Sequence, residues 1–385
     1  MASAVTKASQ APAAVRREIS LSAPDITQAE IDAAVAVLRT PQLSLGPRIP
    51  EFERTFTDRL GCAHGVAVNS GTSGLHLVCL AMGIGAADEV ITSPFSFIAS
   101  SNCVMFVGGK PVFADVDPHT WQIDPARIEA QITPRTKALL IPDIFGNIPD
   151  FDPILAIARR HKLRVIEDCC EAIGATYGGR IAGTLGEAGV FGFYPNKQIT
   201  TGEGGMIVTS DDRIAFLCRS LRSQGRDPDG GWLAHARLGY NFRMPDMLAA
   251  IGTQQMRRLD EILAKRARVG AWYTERLADE PRVSMMRVAP RVKLSWFVMV
   301  VRLSDDYSQA QRDGIMAKLK ERGIATNNYF SPLHLQPFYQ EAWGYRPGDY
   351  PVCEALSART IALPFHNHLT ESDVEYVVSN LRALL

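Results

Sequence analysis

The chain has 385 residues, of which 46% are hydrophobic, so it can bury the core of more than one domain. Basic and acidic side chains both number 41, and the resulting net charge of zero argues against a nucleic-acid partner or a polybasic membrane surface. The seven cysteines show no spacing typical of a zinc site. We therefore expect reduced thiols, no metal and a cytoplasmic protein, with neither a signal peptide nor a membrane span.

From residue 50 to 215, short apolar runs alternate with segments in which apolar residues recur at helical spacing. Such alternation predicts a mostly parallel sheet whose two faces are covered by helices. Ligands bind to such sheets at the carboxyl ends of the strands. The predicted strands are HGVAVNS, DEVITS, PVFADVD, KALLIPDIF, LRVIEDCC and GVFGFY, and the predicted helices are SGLHLVCLAMGIG, SFIASSNCVMFVGG and DFDPILAIARRHK.

The rest of the chain predicts a second, smaller unit. A helical pattern runs from about Pro245 to Leu277, and two internal glycines weaken it without ending it. The strand LSWFVMVVRL and the helices SQAQRDGIMAKLKERG and ESDVEYVVSNLRALL follow. We therefore predict an α/β protein with an N-terminal arm over residues 1–24, a large domain with the mostly parallel sheet over 25–265, and a smaller α+β domain over 266–385.

The stretch NSGTSG lies between a predicted strand and a predicted helix. Small residues at Gly71 and Thr72 allow an anion to approach the backbone N–H groups at the start of that helix. The stretch is therefore a candidate phosphate site. Taken alone, it is more often an ordinary turn with a serine or threonine at the helix N-cap.

Two further features carry charge. The strand LRVIEDCC ends in Glu167 and Asp168, which point to opposite faces because strand residues alternate. One of them can therefore enter the ligand crevice, although acidic groups at this place also stabilise helix N-termini. Lys197 lies in FGFYPNKQITTGEGG, between aromatic residues and a glycine cluster. A desolvated lysine can attack carbonyl groups, whereas the alternative is a lysine of a solvated loop.

Together, the three features suit one cofactor, pyridoxal phosphate (PLP). The glycine turn would bind its phosphate, Asp168 would pair with its pyridinium nitrogen, and Lys197 would form its Schiff base. A carboxylate beside the ring nitrogen keeps that nitrogen protonated, so that the ring can accept electrons. The sequence contains no P-loop, GxGxxG, HExxH or GxSxG motif that would indicate another chemistry.

The chain resembles the DegT/DnrJ/EryC1/StrS family of PLP-dependent sugar aminotransferases, which have the aspartate-aminotransferase fold (fold type I). The resemblance covers most of the chain after residue 40, in the family's order. The stretches that carry it are NSGTSGLHL, DEVITSPFSFIASSN, PVFADVDPHTWQIDP, VIEDCCEAIGATYGGRIAGTLGEAGVFGFYPNKQITTGEGG, LGYNFRMPDMLAAIG and YFSPLHLQPFY.

This resemblance implies roles for individual residues. Lys197 matches the Schiff-base lysine, Asp168 the pyridinium partner, and Phe97 the aromatic residue that stacks on the cofactor ring. Asn241 matches an asparagine that reaches the phosphate in the neighbouring subunit, which implies a homodimer with shared active sites. The remaining matches are Gly71 and Thr72 in the phosphate turn, Glu171 beside the cofactor, and Arg243, Tyr329 and His334 in the nucleotide-sugar site.

Three positions depart from the family pattern. Glu171 replaces a glutamine that donates to the phenolic oxygen of the cofactor. An ionised glutamate would repel a phenolate, so Glu171 must be protonated, turned away or offset by a nearby donor. Ile173 replaces a histidine, and Gly192 replaces a serine that binds the phosphate.

We therefore expect a PLP-dependent aminotransferase that converts a nucleotide-linked keto sugar, a 4-keto-6-deoxyhexose, to an amino sugar with L-glutamate as amino donor. The alternatives are a sugar dehydratase or a cyclitol aminotransferase on the same fold, and a non-catalytic binding or regulatory protein. Lys197 argues against the dehydratase branch, which has histidine in its place, and the pair of Asp168 and Lys197 argues against a non-catalytic protein. The residues leave open the nucleotide, the sugar, the position of the ketone (C3 or C4), the stereochemistry of the product and the pathway.

Overall fold

The structure is a computed structural model that describes residues 17–227, 230–231 and 233–385. The first sixteen residues of the predicted N-terminal arm lie outside this part of the chain. The described end of the arm is paired with the C-terminal region. The N–H of Ile19 donates to the carbonyl of Gly323 at 2.8 Å, and the N–H of Ala325 donates to the carbonyl of Ile19 at 3.0 Å.

The described residues form a central seven-stranded sheet and two three-stranded sheets. The central order is β1-β9-β8-β5-β4-β2-β3, and β9 alone runs antiparallel to its neighbours. The smaller sheets have the orders β10-β12-β13 and β11-β6-β7. The strands are β1 His64–Val68, β2 Glu89–Thr92, β3 Lys110–Phe113, β4 Thr136–Pro142, β5 Arg164–Asp168, β6 Thr176–Tyr177, β7 Arg180–Ile181, β8 Ala188–Gly192, β9 Gly205–Thr209, β10 Val283–Ser284, β11 Val292–Lys293, β12 Met299–Leu303 and β13 Thr360–Leu363.

Helices cover both faces of the central sheet, and none of those in the described part is long and apolar enough to cross a membrane. Three short 3-10 helices occupy Glu129–Gln131, Ile144–Gly146 and Leu333–Leu335. The α-helices are α1 Gln28–Leu38, α2 Arg48–Leu60, α3 Gly71–Ala81, α4 Ala99–Phe106, α5 Pro125–Ile128, α6 Phe151–His161, α7 Asp212–Arg222, α8 Asp246–Arg257, α9 Leu259–Leu277, α10 Gln309–Glu321, α11 Pro337–Trp343, α12 Pro351–Arg359 and α13 Glu371–Arg382.

Strand alternation divides the core into two layers. Val66 and Val68 of β1 pack with α3, α4 and α7 on one face of the sheet, whereas Ala67 packs with α2, α6 and α8 on the other. A parallel sheet covered on both faces is what the sequence pattern predicts, so the predicted α/β class is confirmed. The smaller sheet β10-β12-β13 packs against α9, α10 and α13.

Two predicted elements differ from the structure. The sequence interpretation did not include β9, an entirely buried strand that lies between β1 and β8. The single helix predicted from Pro245 to Leu277 is two helices, which meet at Arg258. The guanidinium of Arg258 binds the carboxylates of Asp25 and Glu30 at 2.8 and 2.9 Å. The break therefore coincides with a tertiary contact and lies at neither internal glycine. The predicted domain boundary at residue 265 lies within α9.

A buried acid pair lies behind the end of β5. Glu167 is fully buried, and its carboxylate accepts hydrogen bonds from the N–H groups of Leu185, Gly186 and Gly183 at 2.5, 2.6 and 2.8 Å. The carboxyl of Asp143 is 1% exposed and lies within 4.8 Å of that of Glu167. Burial and the neighbouring Glu167 carboxylate raise the pKa of Asp143 well above its ordinary value. Burial also raises the pKa of Glu167 to about 7. Asp143 and Glu167 together therefore retain a proton at pH values at which exposed carboxyl groups are ionised.

We expect Gly252→Ala to destabilise the protein. A Cβ at Gly252 would lie 2.7, 2.8 and 3.0 Å from ring atoms of Phe52, which is fully buried. The overpacking should cost about 1–3 kcal/mol, more than the ~1 kcal/mol that alanine contributes to a helix. Urea unfolding would measure the lower stability. Gly314→Ala is the matched control, because Gly314 lies inside α10 with open space around it. This control should gain about 0.5–1 kcal/mol, and a similar shift of both variants would contradict the packing argument.

The acid pair predicts a pH dependence of stability. The native pKa values of Asp143 and Glu167 are raised, so the native state binds more protons than the unfolded state. The free energy of unfolding should therefore fall as pH rises from the ordinary carboxyl range through about 7. Asp143→Asn should make this fall shallower by up to about 1.4 kcal/mol per pH unit. Denaturant unfolding at several pH values checks this. Asp58→Asn, at an exposed position of α2, should leave the slope unchanged.

Candidate active site

A cavity of about 660 Å³ opens at the carboxyl ends of β4, β5 and β8, where the sheet pattern predicted a ligand site. Its wall combines glycines, aromatic rings, carboxylates and one lysine. The cavity brings together residues that are far apart in sequence. Seven of the predicted site residues line it: Gly71, Thr72, Phe97, Asp168, Glu171, Lys197 and Tyr329.

One end of the cavity is the N-terminus of α3. Ser70 is the N-cap, and its hydroxyl accepts a hydrogen bond from the N–H of Ser73 at 3.1 Å. The first N–H groups of a helix have no partner within the helix, so those of Gly71 and Thr72 can bind an anion. A side chain at Gly71 would not fit, because its Cβ would lie 2.7 Å from the Sγ of Cys170.

Asp168 lies on the opposite side of the sheet from Glu167, as strand alternation predicted. It is the last residue of β5 and is 7% exposed. Its Oδ2 accepts a hydrogen bond from the hydroxyl of Ser100 in α4 at 2.7 Å, and its Oδ1 accepts one from the N–H of Cys170 at 3.2 Å. The hydroxyl of Ser100 also lies 3.0 Å from that of Ser96. These contacts orient the carboxylate toward the cavity that it lines.

Lys197 lies in the loop that joins β8 to β9. The loop is closed at its base, where the N–H of Phe193 donates to the carbonyl of Gly204 at 2.9 Å. The lysine Nζ lies 3.2 Å from Oε1 of Glu171 and 4.1 Å from the ring centroid of Phe297. The side chain of Lys197 is only 14% exposed. It is therefore a largely desolvated lysine in a cavity wall, and the interpretation as a solvated loop lysine is wrong.

Glu171 is neither turned away from the cavity nor without a donor. Its Oε2 accepts a hydrogen bond from the N–H of Phe145 at 2.9 Å, while its Oε1 contacts Lys197. Burial raises the pKa of Glu171, against the opposing effects of the Lys197 ammonium and the Phe145 N–H. The glutamate that replaces the family's glutamine at position 171 is thus in direct contact with the predicted catalytic lysine.

Tyr329 and Phe97 also line the cavity. The hydroxyl of Tyr329 accepts a hydrogen bond from Nδ2 of Asn196 at 3.3 Å, and burial raises the pKa of Tyr329. The phenol therefore keeps its proton and can donate it to a ligand. Phe97 is 58% exposed, so a flat ligand can cover its ring.

Three predicted residues do not line this cavity. Asn241 is exposed, and it pairs with Ser223 through its backbone. Arg243 is partly buried, and burial together with two nearby arginines lowers its pKa. His334 is fully buried, and its Nε2 lies 3.0 Å from Oε1 of Glu354. Burial lowers the pKa of His334.

The other two departures have a packing context. Gly192 lines the cavity, and a Cβ there would lie 3.2 Å from Sγ and 3.4 Å from Cβ of Cys170. A serine side chain at position 192 would therefore start in contact with the side chain of Cys170. Ile173 is 4% exposed and belongs to the apolar core on the other face of the sheet.

The residues of the cavity fit PLP. A helix N-terminus suited to an anion, a buried carboxylate and a desolvated lysine surround one cavity, and the close packing around Gly71 leaves no room for a side chain at that position. Sequence reasoning missed Ser100, Phe297 and Asn196, which contact Asp168, Lys197 and Tyr329. The residues in each contact are far apart along the chain, so the sequence gives no signal for these contacts.

Comparison with known proteins agrees with this chemistry. The DegT/DnrJ/EryC1/StrS aminotransferase family matches residues 24–382. GDP-perosamine synthase of Caulobacter vibrioides is 43% identical, over 95% of this chain and 98% of that protein. A candidate sugar aminotransferase of Streptococcus pneumoniae, Spr1654, in its PLP form, has a TM-score of 0.91 at 26% identity, over 96% of this chain and 98% of its own. DesV of S. venezuelae, in complex with a ketimine intermediate, has a TM-score of 0.86 at 32% identity, over 92% and 93%.

The match over nearly the whole chain, the fold and the chemistry of the cavity agree. The chain belongs to the DegT/DnrJ/EryC1/StrS aminotransferase family, and it is a PLP-dependent aminotransferase of fold type I.

Proposed function

We propose that the enzyme transfers the amino group of L-glutamate to a nucleotide-linked 4-keto-6-deoxyhexose and so forms an amino sugar. The observation that carries the proposal is the likeness to GDP-perosamine synthase over nearly the full length of both chains. That name makes guanosine diphosphate the first nucleotide to test. We place this activity in the cytoplasm, in keeping with the seven free thiols among the described residues.

We further propose a role for each residue of the cavity. PLP, when bound, supplies a ring that accepts the electrons of the substrate's C–H bond. The N-terminus of α3 binds its phosphate, Asp168 holds the proton on its ring nitrogen, and Phe97 covers its ring. Lys197 would anchor the cofactor and would move a proton at the substrate carbon. Tyr329, Arg243 and His334 remain the proposed nucleotide-sugar residues, with Tyr329 the one that lines the cavity.

Lys197→Ala should abolish transamination, because the variant lacks both the covalent anchor and the group that moves the proton. The loss of acid–base catalysis alone should lower the rate by about 10²–10⁴-fold. Amino-sugar formation from L-glutamate and a GDP-linked 4-keto-6-deoxyhexose would be measured by mass spectrometry. Borohydride should fix a pyridoxyl label on Lys197 in the wild type and none in the variant.

The same assay separates the alternatives. A cyclitol ketone offered together with L-glutamate tests for a cyclitol aminotransferase. The keto sugar offered without an amino donor tests for a dehydratase. Turnover of either, with no amino sugar formed from the keto sugar, would refute the proposed substrate. Wild-type turnover by Lys197→Ala would refute the proposed role of the lysine.

We also propose that the enzyme is a homodimer whose active sites are shared. Asn241 is exposed and lies away from the cavity of its own chain. In addition, α1 carries an exposed apolar stripe at helical spacing, with Ile31 48%, Val35 37% and Leu38 58% exposed. An apolar stripe on a surface helix is typical of an interface between protein chains.

Subunit mixing tests the shared site. Neither Lys197→Ala nor Asn241→Ala should be fully active alone. If Asn241 acts in the partner's site, a hybrid dimer of the two variants contains one intact site and one doubly altered site. An equal mixture, refolded or co-expressed, should therefore recover about a quarter of the wild-type activity. If Asn241 acts in its own subunit, no hybrid site is intact, and an inactive mixture would refute the proposal.

A further inference from the structure

Glu171 and Lys197 form a largely buried ion pair in the cavity wall. Their side chains are 9% and 14% exposed, and 3.2 Å separates Oε1 from Nζ. The other carboxylate oxygen of Glu171 is fixed by the N–H of Phe145 at 2.9 Å. The centroid of the Phe297 ring, a residue that is 1% exposed, lies 4.1 Å from Nζ. The carboxylate is therefore fixed on one side and faces the lysine on the other.

The chemistry of a carboxyl group at this position differs from that of an amide. A lysine that moves protons must alternate between a neutral amine and an ammonium, and a charged group without a partner is costly in a desolvated site. A carboxylate can take the proton that the lysine gives up, so the pair stays neutral in sum. A glutamine of the same shape could only hydrogen-bond.

We propose that Glu171 is the proton-exchange partner of Lys197, and this inference rests on the proposed covalent role of that lysine. When the lysine amine joins the aldehyde carbon of PLP, a C=N bond replaces the C=O bond. Two protons of the ammonium leave with the aldehyde oxygen as water, and the third passes to Oε1 of Glu171. Once released, Lys197 is a neutral amine; the proton that it takes from the substrate carbon makes it an ammonium, and Oε1 of Glu171 accepts a hydrogen bond from that ammonium.

The surroundings of Glu171 support this exchange. The titratable groups that face it are Lys197 from the β8–β9 loop, Asp168 and Cys170 from the end of β5 and the turn after it, and Tyr329 from the segment before α11. Burial and the Asp168 charge raise the pKa of Glu171, and the Lys197 charge lowers it. Covalent use of the lysine nitrogen removes that opposing charge, and the carboxyl then binds a proton more firmly.

Infrared difference spectroscopy tests the exchange directly. Loading the apoprotein with PLP should create a protonated-carboxyl C=O band that shifts in D₂O. Glu171→Gln should take up PLP, as seen in the visible absorbance, but should lack this band. Asp143→Asn is the matched control, because Asp143 is another buried acid that lines the cavity but makes no hydrogen bond to the lysine, so its loss should leave the new band in place. A wild-type spectrum without the band, or a band that persists in Glu171→Gln, would overturn the proposal.

A single-turnover reaction separates proton exchange from a merely structural hydrogen bond. The conversion of the PLP form by L-glutamate should slow by about tenfold in Glu171→Gln, with an altered pH profile, while PLP affinity changes less than the rate does. Wild-type conversion by the variant, or a loss confined to PLP affinity, would contradict the role. If L-glutamate converts neither protein, the proposed donor fails and the infrared result still decides the inference. If PLP does not bind to Lys197, both the proposed role of the lysine and this inference fail.

Discussion

The alternation of side chains at the end of β5 is the constraint on which the site depends. Glu167 and Asp168 are adjacent in sequence, yet the pleat directs them to opposite faces of the sheet. Backbone N–H groups of residues 183–186 donate hydrogen bonds to the Glu167 carboxylate, and these bonds fix the end of β5. Asp168 is then presented to the cavity, where Ser100 orients it. A shift of one residue in the register of β5 would exchange the two carboxyls and leave the cavity without its oriented acid.

The second support of the site is the antiparallel pairing of β8 with β9. Because the two strands are hydrogen-bonded up to Gly192 and Gly205, the loop between them emerges at the carboxyl end of β8. This loop carries Lys197 to the same edge of the sheet as Asp168. The aromatic residues before the lysine and the glycines after it are thus the two ends of a hairpin. Sequence reasoning recognised these ends as unusual surroundings for a lysine, but not as a hairpin.

Sequence reasoning succeeded where the pattern is local. Periodicity located most strands and helices of the central sheet, and residue types at strand ends singled out the turn at Gly71, Asp168 and Lys197, which the structure brings into one cavity; their roles stay predictions. It failed where a tertiary contact decides. The apolar run of β9 has no alternation, because both of its faces are buried. The break at Arg258 coincides with a bridge to Asp25 and Glu30, more than 200 residues away. The contact of Glu171 with Lys197 likewise depends on the pairing of strands.

The balance of charge links the acid pair to the cavity. Four acids lie near the ends of β4 and β5, namely Asp143, Glu167, Asp168 and Glu171. Among the residues described as lining the cavity, Lys197 is the one cation. Four ionised carboxyls would leave a large uncompensated negative charge in a region of low dielectric, which would repel a phosphate. Burial prevents this, because it raises the pKa values of Asp143, Glu167 and Glu171. Asp143 and Glu167 can thus stay neutral, while Asp168 accepts hydrogen bonds from a hydroxyl and a backbone amide and can face a cationic ligand group.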